Sequence, residues 1–320
     1  MLSQQLLERY APIVVFHPSE RYFPCSMEWL LFHSCLRHSR TALRILKPTQ
    51  TDLLTHWQAH HPSGSTPYLD ISPSGYGGNL EQAPLYVTVQ EWDHCWEITY
   101  LMLYAYQGAQ TARWHLSRRP YDCLIRDFGR HQGDLEWICV TLDKERLEPM
   151  EIGLQAHGRV RTVAWAGCPR QGDRPLVRVA LNGHACALQG EPDRVVHRRL
   201  GGLLSICDLF ASDGPVWRPA LRLVGLNEQG QPLNDEVWAK FQGRLGRPLD
   251  NHFRRLTRLD GAPMGLLPRL LGRLVRLAER RGWLPQSIRH AEGTPGLGDP
   301  GRWFVHGTRR SGNPLRQCPY

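Results

Sequence analysis

Between residues 85 and 181 the chain carries a succession of short strand-like runs with no helical pattern between them, which limits the folds open to it. Leu85-Tyr86-Val87-Thr88-Val89 alternates cleanly, and Trp96 to Tyr106 is a long β-branched and aromatic run. Leu135–Leu142, Met150–Ala156, Val160–Ala166 and Leu176–Leu181 follow, separated by turn-forming residues. A βαβ fold needs helices between its strands. Their absence predicts a mainly β protein, an antiparallel β-sandwich. Short helices are expected over 2–9, 27–37 and 51–60, around an extended, proline-bounded segment at 11–18. Residues 61–84, rich in Pro, Gly and Ser, read as a loop, and 235–244 as helical.

The chemistry concentrates in Gly129-Arg130-His131-Gln132-Gly133-Asp134-Leu135-Glu136-Trp137. A glycine-flanked turn carrying His131 runs into an apolar strand. In that strand Asp134, Glu136, Ile138 and Val140 share one face, and Leu135, Trp137 and Cys139 the other. Two carboxylates thus continue a row of residues that should be buried. Unpaired buried carboxylates are costly, so a positive partner is expected against them: a divalent cation, or an arginine such as Arg126 or Arg130. His131, Asp134 and Glu136 are the candidate metal ligands. The mixed imidazole and carboxylate set leaves Mg, Ca, Mn, Zn and Fe all open.

Composition excludes several classes. The hydrophobic share of 41% and charged share of 22% are those of a globular protein, and no apolar run is long enough for a membrane span. The N-terminal segment shows no secretory signal, and the nine cysteines form no Cys-x-x-Cys pair. Reduced, buried thiols in a cytoplasmic protein are expected, and a zinc–cysteine site is not. The eleven tryptophans are dispersed and read as core and rim aromatics. The net charge of +9 comes almost entirely from arginine and gathers in the last third. There, residues 264–283 place leucines against Arg269, Arg273, Arg276 and Arg280, an amphipathic basic helix interrupted by Pro268 and Gly272. Such a helix packs on the sandwich or meets an anionic membrane surface, which adds peripheral membrane attachment to the expectations. No nucleic-acid-binding motif, phosphate loop, nucleophile elbow or dinucleotide fingerprint is present, and no specific nucleic-acid partner is expected.

Several segments together resemble the Vps62-like family. They are Ala11 to Pro24, Ala83 to Val87, Ile98 to Tyr106, Gly129 to Glu136, Gln155-Ala-His-Gly158, Pro175 to Ala185 and Phe241 to Gly246, in conserved order. The resemblance implies a fold more than an activity. The His-x-x-Asp-x-Glu spacing, after a Tyr-Ala-Tyr strand, is also similar to the necrosis-inducing NLP cytolysins. Carried over, that similarity makes His131, Asp134 and Glu136 ligands of a divalent cation on a β-sandwich, used to engage membrane sphingolipid head groups. Leu135 stands where both families usually have tryptophan. Trp137 stands where the Vps62 pattern commonly has histidine, so any role needing that histidine is absent.

His157 in Ala-His-Gly and His184 in Gly-His-Ala adjoin glycines that permit tight turns, and they are candidates for the same pocket. Tyr104 and Tyr106 read as core, and Asp122 or Asp127 as a possible further ligand. The expectation is one β-sandwich domain over 1–250, with a basic helical extension over 251–320 packed on it. A bound cation would engage a lipid or sugar-like head group. Two alternatives stand beside this. One is a hydrolase-type metalloenzyme using Glu136, His157 and His184 as catalytic groups. The other is a structural protein in which a cation or an arginine merely satisfies the carboxylates.

Overall fold

The computed structural model describes residues 2–60, 66–157, 159–200, 202–225, 233–247, 249–250 and 256–266, with 268, 270, 273, 277, 281, 290 and 291 beyond. The architecture is mainly β and largely antiparallel. Its centre is a six-stranded sheet whose spine is the pair Cys95–Gln107 and Glu136's own strand, His131–Asp143. Leu85–Glu91 and Leu221–Leu223 flank the pair on one side, Pro149–Ala156 and Arg159–Ala164 on the other. Antiparallel register sets Tyr104 opposite Asp134, Met102 opposite Glu136 and Leu101 opposite Trp137.

Both faces of this sheet are covered. Tyr100, Met102, Tyr104, Ile138 and Val140 pack against Val14, Phe16, Val177 and Val179 of a second sheet. That sheet joins Ile13–Phe16, Arg174–Val179, Cys186–Leu188 and two short strands. On the opposite face, Leu101, Leu103, Ala105 and Leu135 pack with Met27, Leu30 and Leu31 of the helix Met27–Phe32, and with Trp238 and Phe241. Two-sided burial explains why the strand from Trp96 reads as a continuous apolar run instead of alternating. Each large side chain so enclosed contributes roughly 1.5–3 kcal/mol.

A third, five-stranded sheet contains Arg194–Leu200, Leu204–Leu209, Thr111–Trp114, Tyr121–Ile125 and Leu256–Arg258. Its last strand, beyond residue 250, pairs with Tyr121–Ile125.

Three expectations are corrected. The helix expected over 27–37 stops at Phe32, capped at its start by the Ser26 hydroxyl accepting from Trp29 N–H, and Ser34–His38 is a strand. That strand pairs with Pro67–Ile71, which lies inside the segment read as loop. Residues 235–244 hold a short 3-10 turn, Val237–Lys240, with Trp238 filling the core. Of the basic segment 264–283, the described residues Leu266, Pro268, Leu270, Arg273 and Leu277 are helical. Arg269, Arg276 and Arg280 lie outside the described residues. Among the described residues no helix is long and apolar enough to cross a membrane.

Candidate functional site

The strand carrying the motif begins at His131, not after it, so His131 lies in the ladder opposite Gln107. Strict alternation would place His131 and Asp134 on opposite faces. Gly133 breaks that alternation, with φ of 66°. Gln132 consequently faces the same layer as Leu135, bonding Ile71 N–H and C=O and the Tyr76 hydroxyl. His131 turns to the side of Asp134, with its Nε2 4.0 Å from Asp134 Oδ1. A Cβ on Gly133 would lie 2.2 Å from the Leu245 carbonyl oxygen, so glycine is required twice over. His131 Nδ1 is held by the Gly133 carbonyl at 2.8 Å.

Below Gly133 the expected alternation holds. Asp134 and Glu136 are buried on the face shared with Ile138 and Val140, while Leu135 and Trp137 face the other layer. The second sheet meets them through His184, in the turn between Arg174–Val179 and Cys186–Leu188. His184 Nδ1 lies 2.9 Å from Asp134 Oδ2, and its ring stacks on Tyr104 with centroids 3.8 Å apart and planes at 8°. Burial would push the Asp134 carboxyl up. The hydrogen bond from His184 and the charges of His131 and His184 outweigh it, so the group sits below its ordinary range. An ionised Asp134 makes His184 Nδ1 the donor, which leaves Nε2 as the ring's remaining polar atom. That Nε2 is buried and makes no hydrogen bond. Burial, then Asp134 and Asp208, push Glu136 well above the usual carboxyl range, and its Oε2 is likewise buried and unpartnered.

The third sheet supplies two residues that sequence reasoning did not single out, His197 and Asp208. Asp208 is almost fully buried, and His157 Nε2 lies 3.0 Å from each of its oxygens. His197 Nε2 lies 2.6 Å from Asp208 Oδ2 and 3.1 Å from His157 Nε2. Burial favours a neutral Asp208, but the hydrogen bonds and charges of His157 and His197 win, and the carboxyl is lowered. Burial lowers His157, and the Asp208 hydrogen bond and charge with a smaller effect of Asp134 reverse it, so the imidazole is raised. Asp208 interrupts the apolar run Leu203 to Phe210, the same signature that marked Asp134 and Glu136. His197 carried no such signal. It is the unpaired residue of a bulge between Val196 and Arg198, a feature of register.

Asp134 with His184, and Asp208 with His157 and His197, form two contacting groups where three sheets converge, and Glu136 lies within electrostatic reach of both carboxylates. Among the described residues, the ligand atoms that all lie within 4.8 Å of one another belong to His157, His197 and Asp208. His131, Asp134 and Glu136 are neighbours without forming so tight a set. Asp122 pairs with Arg113 and Arg194, and Asp127 with Arg130, so neither joins the pocket. Arg130 is accordingly not the counter-charge of Asp134 or Glu136. Tyr104 and Tyr106 are core.

Fold and site together define a class: a β-sandwich with a cluster of carboxylates and imidazoles at the junction of its sheets. Residues 2–191, more than half of the chain, match the family described as Vacuolar protein sorting-associated protein 62, and the chain belongs to that Vps62 family. Similar solved structures include Necrosis and Ethylene inducing Protein 2 from the causal agent of cocoa's Witches Broom disease. It is 12% identical, with 74% of this chain and 79% of that chain covered and a TM-score of 0.35. NLPPya in complex with mannosamine is 10% identical over 73% and 76% of the two chains, with a TM-score of 0.37. The non-toxic HaNLP3 protein is 11% identical over 73% and 77%, with a TM-score of 0.35. No curated protein matches the chain.

Proposed function

We propose that this protein binds an oxygen-rich head group, of a sugar or a lipid, through a divalent cation held where the three sheets converge. The observation that carries the reading is the pair of buried, unpartnered atoms, Glu136 Oε2 and His184 Nε2, beside the carboxylates of Asp134 and Asp208. A polar atom buried without a partner costs about 1–3 kcal/mol, and neighbouring carboxylates repel. A cation relieves both penalties. Asp134 and Glu136, with His131 beside them, fit such an ion by donor type, and carboxylate oxygens favour hard cations such as Mg or Ca. When bound, the ion would supply open coordination positions for hydroxyl, carboxylate or phosphate oxygens of the ligand. The protein's own contribution is orientation. His184 fixes Asp134, Tyr104 fixes the His184 ring, and Gly133 brings His131 to the same side.

The basic segment at 264–283 adds, in this reading, attraction to an anionic surface through Arg269, Arg273, Arg276 and Arg280. A cytoplasmic location with peripheral membrane attachment is part of the same proposal, as is a domain over 1–250 followed by the extension 251–320.

The test is binding of the full chain to arrayed glycans and phospholipid head groups, with and without chelator. Wild type should bind a subset of ligands only with Ca or Mg present, and Asp134→Asn with Glu136→Gln should lose that binding while remaining folded. Binding that ignores both chelator and substitutions contradicts the reading. The buried Glu136 carboxyl also favours a second reading, a hydrolytic enzyme with Glu136 as the proton-transferring group. Turnover of a bound ligand, abolished by Glu136→Gln with binding retained, would select it.

A further inference from the structure

Two imidazole nitrogens converge on one buried carboxylate in the third sheet. His157 Nε2 and His197 Nε2 are 3.1 Å apart, and both lie within hydrogen-bond reach of Asp208. Each Nε2 carries at most one hydrogen. If both donate to Asp208, two N–H groups crowd against each other. If one does not, a bare nitrogen faces the carboxylate. A single cation on all three atoms removes the conflict. Ligand atoms about 2.0–2.1 Å from a tetrahedral zinc are roughly 3.3 Å apart. The observed separations of 3.1, 3.0 and 2.6 Å approach that spacing and need to open by only a fraction of an ångström.

The backbone is arranged to produce this convergence. His197 is aimed by the bulge between Val196 and Arg198, and bulges of this kind re-aim side chains at functional sites. His157 is held at φ of 50°, a conformation that a non-glycine residue adopts at a cost. Gly183 backs onto the cluster, where a Cβ would sit 3.4 Å from Asp208 Oδ1. The side chains of His157 and His197 are about one-third exposed, at 32% and 28%, against 2% for Asp208. An ion here would be anchored from below by Asp208 and reachable from solvent.

The geometry assigns His157, His197 and Asp208 as a second metal site, for a first-row transition ion of zinc type, with an open position toward solvent. It is distinct in donor chemistry from the oxygen-rich Asp134–Glu136 corner. Two imidazoles with one carboxylate select zinc, iron or cobalt over magnesium or calcium, and three protein ligands leave room for water or an anionic oxygen. The inference does not rest on head-group binding.

The test uses the untagged full chain, stripped with chelator and titrated with Co(II) as a spectroscopic probe and with Zn(II) in competition. Wild type should take up about one equivalent, with a cobalt absorption band typical of four or five coordination. His197→Ala, at a partly exposed position, should weaken zinc binding at least tenfold, and His157→Ala likewise. Asp134→Asn and Glu136→Gln should retain the cobalt band. Equal zinc affinity in wild type and His197→Ala overturns the assignment. So does a cobalt band lost in Glu136→Gln and kept in His197→Ala. An intact zinc site in a protein that binds no glycan or head group would sink the earlier reading and leave this one standing.

Discussion

His184 Nδ1 donates to Asp134 across 2.9 Å, so a turn of the second sheet is tied to the strand that carries the motif of the first. Both residues are buried, and the contact spans the interface between the sheets. His184→Ala leaves the Asp134 carboxylate buried without its donor. Breaking such a pair costs about 3–5 kcal/mol. Urea denaturation of wild type and variant should show that loss.

The Asp208 cluster makes stability depend on pH in a defined direction. Asp208 is held below its unfolded value of 3.8, so its contribution is present above that pH and is lost as pH falls through the folded value. His157 is raised above 6.5, so its contribution is complete below that pH and is lost as pH rises through the folded value. The chelator-treated protein should therefore weaken on both sides of a plateau, and Asp208→Asn should flatten both limbs. Urea midpoints between about pH 3 and about pH 9 give the curve.

Gly133 carries two constraints at once, and Gly133→Ala violates both. A Cβ there meets the Leu245 carbonyl oxygen, and φ is 66°. The two penalties together amount to about 2–4 kcal/mol. Chemical denaturation should show this loss, accompanied by loss of divalent-ion binding because His131 no longer turns toward Asp134.

The fold was legible because it rests on local pattern. Strands such as Leu85–Glu91 and Cys95–Gln107 are β-branched and aromatic between turn residues, and the carboxylates of Asp134 and Glu136 stand out against Ile138 and Val140. What escaped depends on tertiary register. His197 reaches the cluster through a bulge, and Ser34–His38 is a strand through its pairing with Arg44–Leu46 and Pro67–Ile71. Asp208 was detectable in principle, since it too is a carboxylate in an apolar run. Its partners lie 51 residues away at His157 and on a neighbouring strand at His197, and no spacing rule joins them.

Thiol reactivity tests the expectation of reduced, buried cysteines. The eight described cysteines are buried and unbridged. Burial pushes Cys123, Cys139 and Cys207 each up to about 12 and Cys168 up to about 11. Only the thiolate reacts readily. At about pH 8 these eight should react slowly with a disulfide reagent in the native protein, and all nine rapidly in denaturant. Fast reaction of several in the native state would contradict the packing described.

The most direct measurement is elemental mass spectrometry of metal in protein purified without tag or chelator. It compares folded wild type with the double variant Asp134→Ala, Glu136→Ala and with His197→Ala. Two distinct sites predict about two equivalents of divalent metal in wild type and a clear loss in each variant, with the transition ion lost from His197→Ala. Equal, negligible metal in all three, with no thermal shift on adding Ca, Mg or Zn, would contradict it.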